Sequence, residues 1–193
     1  RLITNKFKII FYIIYLSIMK IAVCVHLFNL KLYKEFIEYI KNVTNVFEDN
    51  IILINLPNIY NSSSLKHLIL KIKKNIKDCV ILLNENKGVD IYSFLMMLEY
   101  LKKNNIEPDY ILKIHTKTHT EKWRKMLIRP LVNNKNLLKF KNELFLKDNI
   151  GFIGASEYIV ENDNEKWTSN KNGFNILEKI FKINFEYEYF VGG

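Results

Sequence analysis

The residues with most chemistry to offer stand in three short stretches: His26; then Asn86, Gly88 and Asp90; then Lys113, His115, Thr116, Lys117 and His119. Two imidazoles four residues apart, as in His115 and His119, have the spacing of paired metal ligands on a helix. Here the pair follows a strand-like run and no Glu stands beside His115, so zinc binding is not the reading preferred. Lys113 and Lys117 fit better as partners for phosphate oxygens, because an ammonium group neutralises charge on a leaving diphosphate. Asp90 opens a predicted helix and reads as an N-cap or as a ligand-binding carboxylate. Gly88 reads as a turn residue or as part of the same site. Trp123 and Trp167 read as core aromatics or, if exposed, as platforms for a ligand. There is no Gly-x-x-x-x-Gly-Lys phosphate loop and no Gly-x-Gly-x-x-Gly, which argues against a nucleotide triphosphatase or a dinucleotide site.

Positioning these residues falls to a regular alternation of elements. Ile21–Val25, Ile51–Ile54 and Val80–Leu83 are continuous apolar runs, the pattern of buried strands in a parallel sheet, and Tyr110–Ile114, with Lys113 inside it, reads as a fourth strand. Between them, apolar residues recur at helical spacing: Leu32, Phe36, Ile40, Val43 and Phe47; Leu65, Leu68, Ile69, Ile72 and Ile76; Phe94, Met97, Leu98 and Leu101. Ser62–Ser64 supplies a helix start. Two helical segments follow His119, over 121–132 and 135–146, then a strand over 150–154, a helix over 173–181 and a strand over 185–191. Strands alternating with helices across short connections predict an α/β domain with a mostly parallel, three-layer sheet. Ligands bind such sheets at the carboxyl ends of the strands, where His26, Asn86–Asp90 and His115–Lys117 would converge.

Composition agrees with a folded domain. Of 193 residues 49% are hydrophobic and 25% charged, with only 6 Gly and 3 Pro. The net charge of +9 suits a polyanionic partner such as nucleic acid, an anionic lipid surface or a diphosphate. The lysines are spread along the chain, however, and the densest run, Lys71–Lys74, fits one solvated helix face, so no nucleic acid is expected. Cys24 and Cys79 fall in predicted strands, as buried free thiols of a reducing compartment do. Residues 1–18, flanking a run too short to span a bilayer, read as an upstream extension, with the domain over 19–193. The last residues, Phe190–Gly193, read as an unfinished strand and turn.

At the same residues a family resemblance emerges. Asn84–Ile91 with Phe94-Leu95 resembles the Asn-x-Gly-x-Asp-Ile-x-x-Phe-Leu segment of the rhamnan synthesis protein F family. Asp109–Lys117 is similar to that family's Asp-Tyr-Ile-x-Lys-Ile-His-Thr-Lys strand. Ile21–Phe28 resembles its opening strand, with Phe28 in place of the usual tyrosine, and Phe190–Gly193 resembles the start of its Gly-Gly-Thr-Met-Phe-Trp segment. The resemblance runs in order from about residue 20 to the end, and the chain stops before Thr-Met-Phe-Trp. It implies a GT-A-like, Rossmann-like glycosyltransferase fold and transfer of a sugar, rhamnose in the best-known members, from a nucleotide sugar onto a growing polysaccharide.

The resemblance carries expectations for single residues. Lys113, His115 and Lys117 would be the catalytic set, the lysines offsetting charge on the departing nucleotide diphosphate and His115 positioning a phosphate or hydroxyl. His26, Asn86, Gly88, Asp90 and Thr116 would bind the donor. Many GT-A enzymes hold a divalent metal on Asp-x-Asp; here His115-Thr116-Lys117 stands at that strand end, so manganese or magnesium is not expected to be obligatory. Asp163 and Glu157 are candidates for the general base by position, and solvated loop residues otherwise. The partners implied are a nucleotide sugar and a glycan acceptor, in the cytoplasm and peripheral to a membrane. Two alternatives stay open: a scaffold that keeps the fold without transfer activity, and a basic α/β module that binds nucleic acid.

Overall fold

A computed structural model of the chain describes residues 19–58, 62–85, 89–116, 120–147, 150–151, 153–156, 159–161, 179, 182 and 189–191. Within these, four strands form a parallel sheet: β1 (Ile21–His26), β2 (Asn50–Pro57), β3 (Cys79–Asn84) and β4 (Tyr110–His115). Five helices accompany them: α1 (Tyr33–Val46), preceded by a 3-10 turn at Leu30–Leu32, then α2 (Ser62–Asn75), α3 (Val89–Lys103), α4 (Glu121–Val132) and α5 (Asn134–Leu146). The chain divides into two compact units after Ile150. In the second, β5 (Ile159–Glu161) pairs antiparallel with β6 (Tyr189–Val191).

The sheet order is β3-β2-β1-β4. The chain builds outward from β1 to β3, then returns to lay β4 on the other side of β1. The sheet therefore has its topological switch point between β1 and β4. Right-handed crossovers put α1 and α2 on one face and α3 on the other. Contacts agree for α3: Met97 and Leu101 are buried against Ala22, Cys24 and Leu53, whose side chains share one face. The opposite face carries Val23, Val25, Ile52 and Ile54, also buried. Every residue of β1 is buried, which explains why its sequence shows no polar alternation. Cys24 and Cys79 are free and buried, and burial pushes the Cys24 thiol up to about 12.

Local chemistry sets the helix ends. Thr120 caps α4 by accepting from the Trp123 N–H, and Asn133 caps α5 by accepting from the Asn136 N–H. Pro130 sits inside α4, which stops two residues later. At the end of α3, Asn105 adopts a left-handed conformation (φ 53°), and the Ile106 N–H reaches the Leu101 carbonyl at 2.9 Å while the Asn105 N–H reaches Lys102 at 3.2 Å. That is a Schellman stop, and Ile106 completes it by packing on the cluster that contains Leu101. Asn105→Ala should cost about 1 kcal/mol by placing a Cβ-bearing residue without a local polar side chain in that conformation, read as a lower urea midpoint.

The strands and helices follow the hydrophobic pattern except at one place. Ile150, Gly151, Ile153 and Gly154, expected in a strand, are not in one. Glycine weakens strands by adding backbone entropy and offering no side chain to pack. Two glycines within five residues offset the apolar run, and pairing occurs instead at Ile159–Glu161. The helix expected over 173–181 lies almost wholly outside the described residues, and only the end of the strand expected over 185–191 lies within them, as β6.

Candidate functional site

The carboxyl ends of the four strands bring together side chains far apart in sequence. His26, the last residue of β1, is in register with His115 on β4 and with Asn55 on β2. Register partners on parallel strands project to the same face, as do residues two apart on one strand. His115, His26 and Asn55 therefore form a row on the face covered by α3, with Lys113 two residues back from His115. Asn84, in register with Pro57, belongs to the same face.

Asp90 organises the β4 end of this row. It is the second residue of α3, and its carboxylate turns to the sheet and not to the helix backbone. Its Oδ2 accepts from Lys113 Nζ at 2.5 Å and meets His115 Nδ1 at 2.8 Å. The N-cap reading of Asp90 is thereby corrected: two donors on β4 outcompete the local backbone. Burial works against ionisation of Asp90, but the hydrogen bonds from His115 and Lys113 overcome it and hold the carboxyl well below the usual carboxylate range. Lys113 also lies over the Phe94 ring, 5.7 Å from its centroid. The ammonium keeps further N–H donors after serving Asp90, and His115 keeps Nε2. Lys113 thus presents donors to an anion from a frame that Asp90 fixes.

His26 differs in kind. It is 5% exposed, and its Nδ1 lies 2.9 Å from Asn55 Oδ1. Burial lowers its pKa below the ordinary imidazole value, assisted by His115 and Lys113 and opposed by the Asn55 bond and Asp90. A neutral ring donating from Nδ1 to Asn55 has a lone pair on Nε2. Asn55 is itself 1% exposed, and its Nδ2, like that of Asn84, is buried with no hydrogen-bond partner. An orphaned donor of this kind costs about 1–3 kcal/mol, so two in one row call for an explanation.

Thr116 closes the switch point. Its Oγ1 accepts from the backbone N–H of Phe28 at 3.0 Å and of Asn29 at 3.1 Å, while its own N–H donates to the His26 carbonyl at 3.0 Å. The hydroxyl oxygen therefore ties the segment after β1 to the end of β4, leaving only its proton for a ligand. Thr116→Val should orphan both backbone donors and lower stability by about 2 kcal/mol, measured as a shift in urea midpoint at unchanged m-value.

Below the site, Arg124 on α4 is buried and grips Glu35 on α1 with two bonds, Nε to Oε1 at 3.1 Å and an Nη to Oε2 at 2.9 Å. The Tyr39 hydroxyl donates to the same carboxylate at 2.6 Å. Burial and the Glu35 bond push Tyr39 up to about 12. This clamp fixes the start of α4, the helix that follows the His115-Thr116 strand end.

Of the residues expected at the site, His26, Asp90, Lys113, His115 and Thr116 are brought together. Asn86, Gly88 and Lys117 lie outside the described residues, as do His119, Glu157, Asp163 and Trp167. Trp123 is partly buried. Asn55 and Asn84 were missed, although an amide inside the apolar run Ile51–Leu56 was a legible signal. Among the described residues no group of three or more His, Cys, Asp or Glu side chains could hold a metal ion. Among them also, no helix is long and apolar enough to cross a membrane.

A parallel α/β sheet of Rossmann-like order, with Lys113, His115 and Asp90 gathered at its switch point, puts these groups at the edge where sheets of this class bind their ligands. Residues 3–183 match the rhamnan synthesis protein F family, and the chain belongs to that family. Comparison with curated proteins and with solved structures found no significant match. Membership gives the chain a role in rhamnan polysaccharide synthesis and a glycosyltransferase-like character.

Proposed function

We propose that this chain is a glycosyltransferase of GT-A-like fold that moves a sugar from a nucleotide-sugar donor onto a glycan acceptor. The observation that carries this reading is the Asp90–Lys113–His115 cluster at the β1–β4 switch point. In the reaction, an acceptor hydroxyl attacks the anomeric carbon while the bond from that carbon to the diphosphate oxygen breaks. The acceptor hydroxyl gives its proton to a general base, for which Asp163 and Glu157 are the candidates by position in the sequence. The electron pair leaves with the nucleotide diphosphate. Lys113, with Lys117, offsets that developing charge, and His115 positions a phosphate or hydroxyl. Asp90 holds both β4 donors through Oδ2, which leaves Oδ1 for a donor hydroxyl; His26, Thr116, Asn86 and Gly88 complete the donor side. Because lysine supplies the counter-charge, transfer proceeds without an obligatory divalent cation. The proposed location is the cytoplasm, peripheral to a membrane that carries the acceptor; two free buried thiols support the reducing compartment.

The test is a transfer assay with a panel of nucleotide sugars, rhamnose conjugates first, and a glycan primer, with and without manganese. Release of nucleoside diphosphate from one nucleotide family, reduced at least about a hundredfold in Lys113→Ala, is the expected result. Donor binding without turnover would move the reading to an inactive scaffold. Absence of both binding and turnover would contradict it.

A further inference from the structure

Charge is unevenly distributed along the row at the carboxyl edge. At β4 stand Lys113, His115 and Asp90, all ionisable. From β1 towards β3 stand His26, Asn55 and Asn84, and the amides carry no charge at any pH. Burial also favours the neutral form of the His26 ring. Yet this uncharged end holds unused hydrogen-bonding capacity. The Nδ2 groups of Asn55 and Asn84 are shut from water without a partner. His26 spends Nδ1 on Asn55, and among the described residues Nε2 has no hydrogen bond.

We propose that His26, Asn55 and Asn84 form an uncharged subsite that binds the hydroxyls of a sugar ring, beside the charged cluster that takes the diphosphate. The proposal rests on the donor-site reading and adds the direction in which the donor lies across the sheet, phosphates over β4 and a hydroxylated ring towards β2 and β3. A hydroxyl both donates and accepts, so adjacent hydroxyls satisfy an imidazole lone pair and two amide N–H groups together. A phosphate oxygen only accepts and would leave the His26 lone pair unmatched. An apolar group would leave all three unmatched, at full desolvation cost. Asn55 thus has two tasks: its Oδ1 fixes the His26 ring, and its Nδ2 reaches for the ligand.

A nucleotide sugar carries two hydroxylated rings, the ribose and the transferred sugar, and the experiment separates them. Uridine, thymidine and guanosine diphosphates and their hexose conjugates are titrated calorimetrically into wild type, Asn84→Ala and Asn55→Leu. If the transferred sugar occupies the subsite, the dissociation constant of the conjugate rises about tenfold in each variant while that of the bare diphosphate is unchanged. If the ribose occupies it, both rise together. Unchanged affinity for both ligands in both variants overturns the proposal. Asn55 is fully buried, so its variant could fail to fold; half-buried Asn84, at the end of β3, then carries the test alone. Should wild type bind no nucleotide at all, the donor reading fails, and saturation-transfer NMR with free monosaccharides decides the subsite separately. A signal in wild type that is lost in Asn84→Ala upholds it, and no signal in wild type ends it.

Discussion

Asp90→Asn should cost the fold about 2 kcal/mol at neutral pH and slow sugar transfer about a hundredfold. The carboxylate serves two donors on β4 through one oxygen, and the amide that replaces it carries no charge and brings N–H groups of its own. Charged hydrogen bonds are lost, Lys113 and His115 lose their common anchor, and small displacements of groups facing a reacting centre are costly. The pH dependence identifies the cause. The folded protein holds this carboxyl well below its ordinary value of 3.8, so the unfolded chain takes up the proton first as pH falls. The stabilisation is therefore complete above about pH 5 and drains away as the pH drops through and below that ordinary value. Urea unfolding of wild type and Asp90→Asn should show a constant difference near neutrality that shrinks under acid conditions. A difference independent of pH would mean that Asp90 acts through packing and not through its charge. Affinity for a bare nucleoside diphosphate should not fall in step with turnover, because the substitution also removes a negative charge from beside the phosphate site.

The largest loss of stability is expected at a site that touches no ligand. Arg124→Met should destabilise the protein by about 3 kcal/mol, the low end of the range for breaking a buried ion pair. The low end applies because the side chain of Arg124 is 8% exposed but that of Glu35 is 21% exposed, so water partly compensates the stranded carboxylate. Burial works against the Glu35 charge, but the Arg124 and Tyr39 hydrogen bonds outweigh it and hold the carboxyl below its ordinary range; removing Arg124 leaves only the Tyr39 bond and the Lys125 charge to oppose burial. The double variant Arg124→Met with Glu35→Leu should recover much of the loss, since an apolar pair of similar volume carries no desolvation penalty. Double-mutant-cycle analysis of urea midpoints measures both numbers. A double variant as unstable as the single would place the cost in shape and not in charge. Because α4 follows directly from the site segment, the single variant should also lower donor affinity.

The strands were legible for two reasons: β1 and most of β2 are buried on both faces and read as largely apolar runs, while the half-exposed outer strands β3 and β4 keep enough β-branched and apolar residues to show the same pattern. The first residues of β1, β2 and β3 sit within one residue of where hydrophobicity rises. Gathering His26, Asp90 and His115 at the carboxyl edge was likewise legible, since parallel sheets collect strand ends there. What could not be read was adjacency. His26 lies beside His115 because β4 returns to β1, an order that local periodicity does not encode. Asp90 looked like a cap because capping is local, whereas its actual partners lie 23 and 25 residues away. The Arg124–Glu35 clamp spans 89 residues and has no local signature. At 150–154 apolar content outweighed the two glycines in the reading, and the fold decided the other way.

The central claim is that the β1–β4 switch point binds the diphosphate of a sugar donor, and the imidazoles report on it directly. The chain has 4 histidines, few enough to assign by substitution in a 15N-histidine-labelled sample. Two of them, His26 and His115, flank the site, while His67 is exposed on α2. Titration with nucleoside diphosphate should move the His115 and His26 ring resonances together and leave His67 in place; in Lys113→Ala no histidine resonance should move. Saturating ligand that shifts His67 alone, or no histidine at all, would contradict the account.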